Sequence, residues 1–105
     1  MPKELKPPPQ AQRDPNALHM ASIWIAEKGL HCALNIGVFD ENARVDEVRA
    51  WGIMLADIAR HVSQALPHTD DGSERSILNR IWASFDEELS KPTSPVSGGF
   101  LPSEN

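Results

Sequence analysis

VDEVRAWGIMLADIARHVSQAL, residues 45–66, is the longest periodic stretch of the chain. Val48, Trp51, Leu55, Ile58, Val62 and Ala65 recur three or four positions apart, which sets them on one face of a helix for about five turns. At about 100° per residue, Gly52, Ala56, Ala59 and Ser63 align along one flank of that face. Small side chains there admit a neighbouring backbone: a second helix of the same chain, a sheet, or a second copy. The opposite flank is polar, with Asp46–Arg49 and Asp57–Arg60 spaced as exposed ion pairs worth about 0.2–0.5 kcal/mol each. Ile53 stands alone within it and is a candidate contact outside the monomer.

Upstream lie two strand-like segments, ASIWIAE (21–27) and LHCALNIGVF (30–39). The second alternates, with Leu30, Cys32, Leu34, Ile36 and Val38 on one face. A two-residue Lys28-Gly29 turn would need positive φ at lysine. The expected connection is therefore a three-residue loop, Glu27-Lys28-Gly29, with Gly29 left-handed and a bulge. That register pairs Ala26 with Leu30 and Trp24 with Cys32. It leaves Ile23 and Ile25 on the opposite side, so the first strand reads as apolar on both faces. Asp14-Pro15-Asn16-Ala17-Leu18 reads as a short helix start, with Asp14 as cap and Pro15 in the first turn.

Downstream of the main helix, Pro67 terminates it, and Asn42 or Asp46 caps its start. Asp71 and Glu74 are spaced as a capping box for a second helix, residues 74–90. Ile77, Leu78, Ile81, Trp82, Phe85 and Leu89 form its apolar face, and Lys91-Pro92 stops it. Trp51 and Trp82 sit at the centres of the two apolar faces and are expected in the core. Residues 1–13, with Pro7-Pro8-Pro9, and residues 93–105 lack apolar periodicity and read as disordered tails around a single domain, 14–92.

Three segments in order, DPNAL, SIWIAEKGLHCALNIG and AWGIMLADIARHV, resemble a small bacterial family of domains of unknown function. The resemblance spans residues 14 to about 66, and the tryptophan-glycine helix is its most specific part. It implies no activity, and no functional residue is carried over from it.

Ten Lys and Arg stand against fifteen Asp and Glu, a net charge of −5. That balance argues against nucleic acid or an anionic membrane surface as partner. No apolar run approaches the roughly 20 residues of a membrane span. The N-terminus, MPKELKPPPQ, has no apolar segment behind its lysines, so it does not read as a secretory signal. The one cysteine, Cys32, closes no internal disulfide, and the expected compartment is cytoplasmic.

Reactive side chains do not converge in the sequence. His31 and Cys32 are strand neighbours and point to opposite faces, and Pro67 separates His61 from His68, so no metal site is expected. Asp57 and His61 are four apart and read as a surface pair. Gly98-Gly99 has no strand–helix context for a phosphate loop.

The chain therefore reads as α+β, a two-stranded antiparallel hairpin followed by a long and a shorter amphipathic helix. Its small packing length and open hairpin edges favour a homodimer with a four-stranded sheet. Ile23, Ile25, Gly52, Ile53, Ala56 and Ala59 are the candidate interface. The expected function is a homodimeric protein-interaction or regulatory module binding a further, unknown protein. The alternative is a small apolar-ligand-binding protein walled by Trp24, Trp51, Trp82, Met20 and Met54. Catalysis and a cofactor are not expected.

Overall fold

The chain's first reversal, at Glu27-Lys28, fixes which side chains share a face of the sheet. In the computed structural model, which describes residues 3–39, 46–66, 74–93 and the backbone of 97–102, both residues are left-handed, φ 50° and 64°. Strand β1 (Ala21–Ala26) and strand β2 (Gly29–Ile36) flank them directly. The connection is a two-residue loop with positive φ at both positions, the pattern of a type I′ turn, whose twist matches that of the strands. The expected three-residue bulged loop is therefore corrected.

The register pairs Ile23 with Cys32, Trp24 with His31 and Ile25 with Leu30. A one-residue slip moves a whole side-chain set to the other face. Ile23 and Ile25 accordingly join Leu30, Cys32 and Leu34 on one apolar face, while Trp24 shares the other with His31. Trp24, half-buried, still places an apolar side chain on that second face, so β1 is apolar on both faces. The cross-strand apolar pairs, worth about 0.2–1 kcal/mol each, help to offset the left-handed strain at Glu27 and Lys28. Gly29 has a different role from the one expected. A Cβ there would meet the His31 Nε2 at 3.4 Å, and that nitrogen lies 3.1 Å from the Ala26 carbonyl oxygen. The glycine makes room for the imidazole to reach back across the turn.

A third strand, β3 (Ser97–Pro102), pairs parallel to β2, giving the order β1-β2-β3. Parallel strands require a long crossover, and the connection from β2 to β3 carries both helices. β3 lies in the stretch read as a disordered tail. Its pairing uses backbone groups, which leave no side-chain period to read. Removing residues 94–105 is expected to lower the melting temperature, because β2 then loses its parallel neighbour and keeps only β1. Removing residues 1–8 should leave the temperature within about 2 °C, the scale of a surface change.

Helix α1 (Pro9–Arg13) precedes the expected helix start. Asp14 ends it, extended at φ −91° and ψ 112°, as the residue before a proline tends to be. Its carboxylate accepts from the Asn16 N–H at 2.8 Å, and its carbonyl accepts from the Ala17 N–H. Asp14 caps a turn there, not a helix.

Helix α2 (Glu47–Ala65) is capped by Asp46, whose side chain accepts from the Arg49 N–H. The backbone amide thus takes the carboxylate that the sequence offered to the Arg49 side chain. Asp57 does pair with Arg60, at 3.1 Å and in solvent. Helix α3 (Glu74–Ser90) contacts α2. Asn42, Pro67 and Asp71 lie outside the described residues.

By its contacts the chain divides into two units. Met1–Val38 with Ser97–Asn105 holds the sheet, and Phe39–Val96 holds the helical pair. These boundaries do not follow the expected single domain at 14–92. Among the described residues of the helical pair, Ser63 (2% exposed) and Ile77 (8%) are the buried ones. Trp51 is half-buried and its indole N–H donates to Glu47. Trp82 is 63% exposed, contrary to the expected core position. Two helices in contact cover one flank of each other, and the rest of each apolar face needs another layer. No helix among the described residues is long and apolar enough to cross a membrane.

Candidate functional site

The flank that α2 turns toward α3 is the small-residue one. Gly52, Ala56 and Ala59 form the floor of a groove of about 540 Å³, walled by Leu55 on one side and by Trp82 and Phe85 on the other. One turn beyond Ala59 on the same flank, Ser63 is buried, and its hydroxyl donates to the Arg60 carbonyl at 2.8 Å. That bond to the backbone removes the cost of an unpaired buried hydroxyl. At Gly52, in contrast, an added Cβ would meet nothing within 4 Å. The groove is open at that level.

Its walls carry little polarity. Arg60 and Asn79 are the polar members, and the guanidinium of Arg60 is held by Asp57. The indole of Trp82 stacks on the Phe85 ring, with centroids 5.8 Å apart and planes 18° from parallel. Neighbours three apart on a helix meet in this way, and the pair forms one rigid aromatic edge facing both groove and solvent.

The six candidate interface residues separate into three places. Gly52, Ala56 and Ala59 line the groove. Ile53 does not line it and is half exposed on the polar flank of α2. Ile23 and Ile25 belong to the sheet unit, on its apolar face, with Ile25 86% exposed. Of the five residues offered as an apolar pocket wall, only Trp82 lines the groove; Trp24, Trp51, Met20 and Met54 do not. Leu78, Ile81 and Phe85 line it as well. The sequence places them on the apolar face of α3, but that pattern alone does not distinguish a core from a groove wall.

Among the described residues the reactive side chains lie elsewhere, and His68 falls outside them. Cys32 is half-buried on the apolar face of the sheet. The His19 imidazole sits between the Ala21 carbonyl, at 3.1 Å, and the Ser22 hydroxyl, at 3.3 Å. His61 is exposed, and the partner of Asp57 is Arg60, one residue before it. Among the described residues, no three His, Cys, Asp or Glu side chains gather in a metal-binding group.

The model of a domain of unknown function (DUF5076) matches residues 4–93. A solved structure from the photosynthetic bacterium Rhodopseudomonas palustrus CGA009, provisionally named a pyruvate dehydrogenase, is similar over 90% of this chain and 91% of its own. The two are 28% identical, with a TM-score of 0.67. No curated protein matches the chain.

Proposed function

Because the chain belongs to the family of domains of unknown function DUF5076, its role has to be argued from its own surface, and we propose that it is a homodimeric protein-interaction module without catalytic activity. The observation that carries this reading is the uncovered apolar surface on both units: Ile23, Ile25 and Leu30 on the sheet, and Val48, Trp82 and Leu89 on the helices. Monomeric soluble proteins rarely leave contiguous apolar patches beyond a few hundred Å². A two-fold dimer buries the same patch on both copies at once. The outer surface of the dimer then remains for a further protein.

The dehydrogenase name of the neighbour is not carried to this chain. Arg60 and Asn79, the polar lining of the groove, are suited to holding a group in place and supply neither a nucleophile nor a general base. The compartment that fits a single cysteine and an acidic chain is the cytoplasm.

The groove itself favours a second reading, a carrier of small apolar molecules, since about 540 Å³ falls in the range of ligand pockets. Multi-angle light scattering at micromolar concentration, with tryptophan fluorescence during a metabolite screen, separates the two. A mass of two chains and unchanged fluorescence is the expected result. A mass of one chain with a fluorescence shift would replace the first reading by the second.

A further inference from the structure

We infer that two copies of the chain join edge to edge through strand β1, pairing antiparallel about a two-fold axis at Trp24. This rests on the homodimer reading above and names the contact that makes the dimer.

The hydrogen-bond phase of the hairpin sets what the edge offers. The Met20 carbonyl accepts from the Asn35 N–H at 2.9 Å, and the register continues from there through Ala21 opposite Leu34. In an antiparallel pair, successive residues alternate between bonding the neighbouring strand and turning their N–H and C=O away from it. Ser22, Trp24 and Ala26 therefore bond β2, while Ala21, Ile23 and Ile25 direct their backbone groups outward. β1 is an edge strand, with β2 on one side of it. At Ala21 the edge is closed within the chain, because the His19 Nε2 lies 3.1 Å from that carbonyl oxygen. At Ile23 and Ile25 no described residue supplies a backbone partner on the outer side. Edge strands are commonly blunted by a proline, a charged side chain or a bulge. The β1 sequence ASIWIA holds neither proline nor charge, and its register with β2 runs without a bulge.

The order of residues points to a second copy as the occupant. Around Trp24 the strand reads the same in both directions, Ile-Trp-Ile, with the small residues Ser22 and Ala26 beyond. A two-fold axis at Trp24 sets Ile23 of one copy opposite Ile25 of the other, and these are the residues with outward N–H and C=O. Each such pair exchanges both of its backbone hydrogen bonds. The axis itself falls on a pair that exchanges none, where side chains stand closest, and two aromatic rings are favourable there. The other axes that keep the bonding phase fail. An axis at Ile23 calls on Ala21, whose carbonyl His19 already faces. An axis at Ile25 sets Ile23 opposite Glu27, which is left-handed. At Trp24 both isoleucines, 58% and 86% exposed, are matched and cover each other across the seam. A contact made of the same strand on both copies is self-complementary, as a closed dimer requires.

The test uses the full chain. Sedimentation velocity gives the dimer dissociation constant, and circular dichroism reports that each variant is folded. Ile23→Pro removes an outward N–H that the hairpin does not use, the kind of position where an edge strand tolerates proline. One hydrogen bond is lost on each side of the axis, so the dimer is expected to weaken by about tenfold or more. Ile23→Ala keeps that N–H and should stay within a few-fold of the parent. Disulfide trapping reads the axis directly, whether or not the proline variant folds. In a Cys32→Ser background, Trp24→Cys sets two cysteines opposite each other, within the Cα separation of about 4.4–6.8 Å that a disulfide spans. It is expected to form a covalent two-chain species in air. Ile25→Cys, at a more exposed position, stands out of register with its own counterpart and should not. A folded Ile23→Pro variant that dimerises as tightly as the parent overturns the β1 edge as the contact while the homodimer reading stands. So does cross-linking at position 24 no greater than at position 25. A parent chain that sediments as one copy overturns both readings.

Discussion

Ile77→Ala is expected to lower the melting temperature by about 10 °C or more, the largest effect of any single truncation in the helical pair. Ile77 is the one apolar side chain there that is buried among the described residues, one turn into α3. Truncating a buried isoleucine costs about 2–5 kcal/mol, made up of lost transfer free energy and the cavity left behind. In a chain of this size, each kcal/mol moves the midpoint by about 4–8 °C. Leu89→Ala, at the far end of the same helix and two-thirds exposed, is the control and should shift the midpoint by only a few degrees. Thermal denaturation followed by circular dichroism reads both. Equal shifts for the two variants would show that the helices do not close at Ile77.

Replacing the turn by Glu27→Asn with Lys28→Gly is expected to raise the melting temperature by about 5–10 °C. Both residues are left-handed, a conformation that costs a residue with a Cβ roughly 1–2 kcal/mol. Asparagine tolerates it and glycine adopts it freely, which is why Asn-Gly is the preferred type I′ pair. Part of the gain is lost again because glycine has more freedom in the unfolded chain. The net gain is about 1–2 kcal/mol, equivalent to that rise at 4–8 °C per kcal/mol. The register is tested by the same variant. In a three-residue loop with Gly29 as the left-handed residue, glycine at position 28 would relieve no strain, and the midpoint would stay or fall. Gly29→Ala probes the other half: the added methyl stands 3.4 Å from the His31 ring nitrogen, so a small loss is expected, not the larger one of a left-handed site.

Local residue preference alone does not set the register of a loop this short. Locally, glycine is the cheapest left-handed residue, so Gly29 is the natural choice. What overrides it is non-local: only the two-residue loop places Ile23 and Ile25 opposite Cys32 and Leu30. The strain at Glu27 and Lys28 is outweighed by an agreement between strands that becomes visible once both are laid side by side. Asp14 is a related case. The residue types suit a helix start, but the backbone of Asp14 is set by Pro15 behind it and by α1 before it.

The elements whose signal is periodic and local are legible in the residues alone. The hairpin followed by two helices is present as read, with α3 spanning Glu74–Ser90 and α2 falling within one residue of its predicted C-terminus and two of its predicted start. Helical spacing repeats over several turns, so the error at any one residue hardly matters. It also aligned Gly52, Ala56 and Ala59 as a close-contact flank, because that alignment follows from helix geometry alone. What the flank meets is visible in the folded chain alone: a groove shared with α3 along Gly52, Ala56 and Ala59, open at Gly52. The tertiary structure alone placed β3 beside β2, because parallel pairing across a long crossover is made by backbone groups that every sequence carries. It alone left Trp82 exposed, since a helix face is apolar whether it is covered by its own chain or by another. Period reports that a face will be covered; the contacts alone show by what.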